Sequence, residues 1–188
     1  TEEESMTGWG KSSFANRGMA FEQMLDYTNK LYEQQGVAVI NKRPTPVKIL
    51  GRNARGMING YLEKPSTVDY DGTYAGRSIV FEAKSTKELT RFPLDNVHEH
   101  QVEYLAKCHG CGAISFMLIE FAKHQTVYLL PYEVLAQYWR RAKVGGRGTK
   151  SIPLQDFDVY AYHVSPGRVP VDYLAVVNQI WNIGGVAV

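Results

Sequence analysis

The chain has 188 residues, 44% hydrophobic and 21% charged, which fits one domain with a real core and excludes a disordered chain. No apolar run approaches the roughly 18 residues of a membrane-spanning helix. The acidic opening Thr1-Glu2-Glu3-Glu4-Ser5 is not a secretory or transit signal, and two cysteines, Cys108 and Cys111, make no disulfide framework, so a cytoplasmic setting is expected.

In chain order, the first expected element is a helix over 17–35, with Asn16 as its N-cap. Phe21, Met24, Leu25, Thr28, Leu31 and Tyr32 recur at helical spacing, and Gly36 stops it. Val37-Ala38-Val39-Ile40 reads as a short buried strand. Two extended pieces, Val47-Lys48-Ile49-Leu50 and Gly60-Tyr61-Leu62-Glu63-Lys64, flank a tip bearing Gly51, Arg52, Arg55 and Gly56, which predicts a projecting hairpin over 47–64. Strands are expected at 67–70 and 78–84, with Asp71-Gly72 and Ala75-Gly76-Arg77 as turns. A helix over 97–107, strands over 113–121 and 125–130, and helices over 132–143 and 172–181 complete the set. The order indicates a mixed α/β domain spanning 1–188, with helices flanking one sheet. Residues 1–15 and 182–188 are expected to be loose ends.

The net charge of +2 hides an uneven distribution. Between Asn41 and Lys64, six cations face the single acid Glu63, a net +5; Tyr138 to Lys150 carries five cations and no acid, another +5. The rest of the chain is therefore −8. Either cluster alone is read as a solvated face. Together, interleaved with glycine, they favour a polyanion, because Lys and Arg bound to phosphates release condensed counterions.

The chemistry concentrates between Asp69 and Lys84. In a strand, residues i and i+2 share a face, so Glu82 and Lys84 project together, and Asp69 joins them if the two strands are neighbours. Two carboxylates make a hard oxygen site for a divalent cation, and an adjacent ammonium can orient water and offset phosphate charge. By itself the pattern is weak, since charged positions on a solvent-facing strand give the same spacing.

Other motifs are less informative. Cys108-His109-Gly110-Cys111 could be half a zinc site or a redox pair, but a structural zinc needs four ligands, and the pair reads better as two incidental thiols at a helix end. His98 and His100 read as surface or hydrogen-bonded groups. Gly145-Gly146-x-Gly148 lacks the ending of a P-loop and reads as a flexible basic loop. Tyr61 and Tyr70 are the aromatics expected near a nucleic-acid surface.

Several segments taken together carry a resemblance. Asn16-Arg17-Gly18-Met19 with Phe21-Glu22, Lys42-Arg43-Pro44-Thr45-Pro46-Val47, and Ser66-Thr67-Val68-Asp69-Tyr70 resemble the RecU family of Holliday junction resolvases from Gram-positive bacteria and their phages. So do Gly76-Arg77, Phe81-Glu82-Ala83-Lys84, Phe92-Pro93-Leu94 and His98 through Gln101. The resemblance runs from about Asn16 to Leu174. It implies the PD-(D/E)XK restriction-endonuclease-like fold with a protruding β stalk, a homodimer, and cutting of four-way DNA junctions with magnesium, or manganese in its place. RecA or a branch-migration motor are partners the family brings with it.

By this resemblance Asp69 and Glu82 bind the metal and Lys84 is the catalytic lysine. Glu22 is a further acidic group, and Gln101 a polar residue on the following helix. Arg17, Lys42, Arg43, Lys48, Arg52, Arg55, Lys64 and Arg77 are the expected DNA contacts. The Cys108–Cys111 group and the tail from Asn182 lie outside the pattern. A nuclease of the same fold with another DNA target, and a junction-binding protein that does not cut, are the alternatives.

Overall fold

The computed structural model describes residues 15–62 and 67–183. The expected loose ends lie almost wholly outside these residues, as do Lys64 and the side chain of Arg17.

Helix α1 (Ala15–Gln34) leads into strand β1 (Ala38–Lys42), and then a hairpin of β2 (Val47–Arg52) and β3 (Ile58–Leu62). Strands β4 (Tyr70–Tyr74) and β5 (Arg77–Thr86) come next, joined by the two-residue turn Ala75-Gly76. Both turn residues have positive φ, 48° and 75°, which matches the right-handed twist of the strands they connect. After β6 (Arg91–Pro93) and a single 3₁₀ turn (Leu94–Asn96) come α2 (Glu99–Gly110), β7 (Ile114–Phe121), β8 (Thr126–Pro131) and α3 (Tyr132–Val144). The last described elements are β9 (Ser151–Pro153), α4 (Leu154–Tyr160), β10 (Tyr162–Val164) and α5 (Tyr173–Trp181).

Six strands form one mixed sheet in the order β1-β4-β5-β7-β8-β10. Only β5 and β7 are parallel, and a parallel pair needs a crossover, which α2 supplies. Alternation along β5 divides its side chains between two cores. Ile79, Phe81 and Ala83 pack toward α1 and α5 with Phe21, Leu25 and Tyr173. Val80 packs on the other face with Val102 and Leu105 of α2, Leu135 of α3 and Phe157 of α4. The result is three layers, with helices on both faces of the sheet. An aromatic ladder crosses the first face: Tyr70, Phe81 and Phe116 pair in register and stack at centroid distances of 4.8 and 5.0 Å.

The structure departs from the sequence-based expectations in places. The expected strand at 67–70 begins where it was expected to end, at Tyr70, and Asp71-Gly72 lies inside β4 instead of forming a turn. A Cβ on Gly72 would stand 2.0 Å from the Val39 carbonyl oxygen, so this glycine serves the close approach of β1, not a reversal. Tyr70 is fully buried in the core and so cannot face DNA. Asn16 lies within the helix it was expected to cap. The two-stranded β6–β9 sheet, α4 and β10 were not anticipated: the three strands are three residues long, too short for a period to show.

The hairpin forms a separate two-stranded sheet, with a bulge between Ile49 and Gly51. Its turn is held by Asn53, whose side chain accepts the backbone N–H groups of Arg55 and Met57, each at 3.0 Å. Every residue of β2 is exposed, and both strands present apolar side chains to solvent, Leu50 at 70% among them.

Candidate active site

The edge of the sheet where β1 and β5 end and β4 begins gathers the candidate residues. Asp69 sits just ahead of β4, opposite Arg43, whose backbone N–H donates to the Asp69 carbonyl at 2.7 Å. Because Tyr70 is anchored in the core, the preceding residue turns to the other face, that of α2. There it meets Glu82.

The two carboxylates interlock through backbone N–H groups. The Asp69 N–H donates to Glu82 Oε2 at 3.1 Å, and the Ala83 N–H donates to Asp69 Oδ2 at 3.1 Å. Glu82 is fully buried, and its other oxygen, Oε1, accepts from Gln101 Nε2 at 2.5 Å and from Lys84 Nζ at 2.7 Å. Gln101 is fixed in turn: it is the third residue of α2, and its Oε1 accepts the His98 N–H at 2.9 Å, which completes a capping box. Helix capping and carboxylate anchoring thus share one side chain. Lys84 remains 22% exposed, so its ammonium bridges the buried carboxylate and the surface.

Burial is the main electrostatic fact. Removal from water, and then the neighbouring Asp69 charge, push the Glu82 carboxyl up from 4.5 to about 8, against the opposing pull of Lys84. Burial and the Asp69 charge both penalise the ionised form of Glu82, and a hard dication between the two carboxylates would relieve that penalty. Among the described residues no group of three His, Cys, Asp or Glu side chains comes together to hold a metal. Two carboxylates suit a magnesium-like ion, which keeps waters and substrate phosphate oxygens in its remaining positions. Asp69 and Glu82 are the residues that would hold it.

Glu22 approaches from α1, on the other face. Its carboxylate pairs with Lys42 Nζ at 2.5 Å, which raises the Lys42 pKa, and its backbone carbonyl accepts the Tyr70 hydroxyl at 3.2 Å. Tyr70 also donates to Asp26 Oδ1 at 2.7 Å, and burial and Asp26 raise its pKa. Asp26 was not among the sequence candidates. It lies one turn beyond Glu22, but nothing in the sequence marks Tyr70 as its partner.

The expected DNA contacts fall into different places. Lys48, Arg52 and Arg55 stand exposed on the hairpin. Lys42 and Arg43 lie at the end of β1 beside Asp69, and Arg43 is engaged with Tyr104 and Asp71. Arg77 starts β5 at the opposite end of the sheet and donates to the Gly112 carbonyl at 3.0 Å, so the fold does not bring it to the site. The second basic segment is also divided: Lys143 pairs with Glu99 at 2.6 Å and lies over the Trp139 ring. Cys108 and Cys111 are free thiols at the C-terminus of α2. No described helix is long and apolar enough to cross a membrane.

Known proteins resemble this chain along most of its length. The family model described as RecU, Recombination protein U, matches residues 16–179. The Holliday junction resolvase RecU of Geobacillus sp. strain WCH70 is 39% identical over 175 residues, covering 90% of this chain and 86% of its own. The Holliday junction resolvase RecU of Bacillus pumilus is 41% identical over 177 residues, covering 91% and 84%. Among solved structures, the Holliday junction resolvase Hjc of Archaeoglobus fulgidus matches with a TM-score of 0.39 and 14% identity, over 74% of this chain and 94% of that one.

Proposed function

The chain belongs to the RecU family, and from that premise we propose that it is an endonuclease that resolves four-way (Holliday) DNA junctions in recombination and repair. The family implies a divalent metal, and magnesium, with manganese as a substitute, is the ion we assign. The observation that carries the reading is the interlocked Asp69–Glu82 pair with Lys84 on the same strand face. This is the arrangement expected of a PD-(D/E)XK site.

A divalent ion held by Asp69 and Glu82 would supply Lewis-acid polarisation of the scissile phosphate and a bound water of lowered pKa. The chain's own groups do the rest. Gln101 and the Ala83 N–H hold the two carboxylate groups in defined orientations. Lys84 orients the attacking water and offsets the negative charge that grows on the phosphate oxygens as the new P–O bond forms and the leaving oxygen departs. Glu22 and Lys42 form a charged rim at the same edge. The exposed Lys48, Arg52 and Arg55 take phosphates at the junction centre, with Lys42, Arg43, Arg17 and Lys64 as further DNA contacts. Cutting two strands symmetrically calls for two such sites, hence a homodimer.

The test is a cleavage assay with magnesium on a mobile four-way junction and on linear duplex of the same sequence. Junction-only cutting is expected, and equal cutting of duplex would point to a nuclease with another target. Asp69→Asn and Glu82→Gln should bind the junction nearly as the parent does and not cut it. Binding without cutting by the parent itself would leave a junction-binding protein.

A further inference from the structure

The end of β1 joins three parts of the molecule at one residue. Arg43 comes directly after β1 and precedes Pro44-Thr45-Pro46, after which the hairpin begins at Val47. Two prolines with fixed φ leave this connection little slack, so a displacement of the hairpin is passed to Arg43. Its backbone N–H holds the Asp69 carbonyl at 2.7 Å. Its guanidinium donates to the Tyr104 hydroxyl at 2.6 Å, lies 5.1 Å from the Tyr104 ring centroid, and stands 3.3 Å from Asp71 Oδ2. Tyr104 is half-buried and lies three residues after Gln101, one turn along the same face of α2.

We propose that Tyr104 is a positioning residue for junction cleavage: with Asp71 it grips Arg43 and so ties the base of the hairpin to the helix whose Gln101 anchors Glu82. Arg43 thereby reaches both carboxylates, Asp69 through its backbone and Glu82 through Tyr104, α2 and Gln101. A shift of the hairpin on entering a junction would then move the two carboxylates together and set their spacing. Planar guanidinium geometry suits this grip, because it meets a hydroxyl, a carboxylate and a ring with one rigid group. The proposal rests on the junction-resolving reading of the same site.

The variants are Tyr104→Phe, which keeps the ring and removes the hydroxyl, and Asp71→Asn, which keeps the shape and removes the charge. On a four-way junction, kcat should fall about tenfold or more in each, with KM and melting temperature near the parent's, because misplacement affects the chemical step and not binding. The second readout is amide hydrogen exchange with the junction bound in EDTA, where no cutting occurs. In the parent, junction binding should slow exchange both in the hairpin and in the first turns of α2. In Tyr104→Phe the hairpin should still be slowed and α2 should not. Equal slowing of α2 in the variant, or a kcat within twofold of the parent, would overturn the proposal. So would a loss of activity matched by a fall in melting temperature, which would make Tyr104 a packing residue. If the parent binds junctions without cutting them, the resolvase reading fails while the exchange experiment still decides the coupling.

Discussion

A carboxyl group deprived of water holds its proton longer, and at Glu82 this bears on both stability and chemistry. Its carboxyl is raised by burial and by Asp69 from 4.5 to about 8. Between those two pH values the native state binds a proton that the unfolded chain has already released. The stabilisation is therefore complete below about 4.5 and is lost as pH rises through about 8. The metal-free protein should show a melting temperature, monitored by circular dichroism, that declines from acid to mildly alkaline pH. In Glu82→Gln, whose amide cannot ionise, that decline should be visibly flatter, and identical slopes would contradict the buried-carboxyl account. Magnesium should raise the parent's melting temperature more at high pH than at low, since an ion that binds only the native state stabilises it by mass action and must displace the Glu82 proton. The variant should gain little at either pH.

At the scale of elements, glycine and the hairpin are where sequence and structure part or meet most instructively. Gly72 sits inside β4 with backbone of β1 where a Cβ would lie, 2.0 Å from the Val39 oxygen and 2.7 Å from the Ile40 Cα. Gly72→Ala should thus destabilise the protein by about 1–3 kcal/mol or more in a urea titration, as an overpacked site does when backbone cannot yield. Neighbouring Asp-Gly spells a turn in sequence, and only the tertiary approach of β1 reveals the other use, so local sequence ends the strand before Asp71 where the fold carries it on to Tyr74. The long elements α1, β7 and α3 were legible because their apolar spacing is sustained. So was the Glu82–Lys84 face, which comes from alternation alone. The Gln101–Glu82 bond and the Arg43–Tyr104 contact join residues far apart in sequence, and no local period encodes them. The hairpin was legible from its turn chemistry, although its exposed apolar flanks were not. Replacing residues 51–60 with a short turn should leave the body folded, since the hairpin is a separate sheet. The shortened protein should cut junctions poorly and lose its preference for them over duplex in a competition assay. Undiminished discrimination would transfer junction reading to the body.

For the whole molecule the question is where a chain of net charge +2 presents the positive charge that a DNA substrate requires. The fold answers by separating charge in space. At the site Glu82 is paired with Lys84 and Glu22 with Lys42, while Lys48, Arg52 and Arg55 are carried outward on the hairpin. Lys143 of the second basic segment is paired with Glu99, as Lys42 is with Glu22 and Arg43 with Asp71, so each would exchange an acid for a phosphate on binding. Each phosphate neutralised lowers the slope of log K against log salt by about 0.9, so three hairpin cations in a single chain would give roughly −3 and two chains roughly −5. Further contacts from the ends of β1 in a dimer would bring the count to about six to ten, a loss of about 10³–10⁵ in affinity between about 50 and 200 mM salt. Filter binding of a radiolabelled junction in EDTA across that range measures the slope directly. Arg52→Ala with Arg55→Ala should make it shallower by roughly 2 if one chain engages and by roughly 4 if two do, at one phosphate per arginine. The size of that change therefore reports how many hairpins enter the junction. A slope that is flat in the parent, or unmoved by removing both arginines, would mean that the hairpin does not carry the phosphate contacts assigned to it.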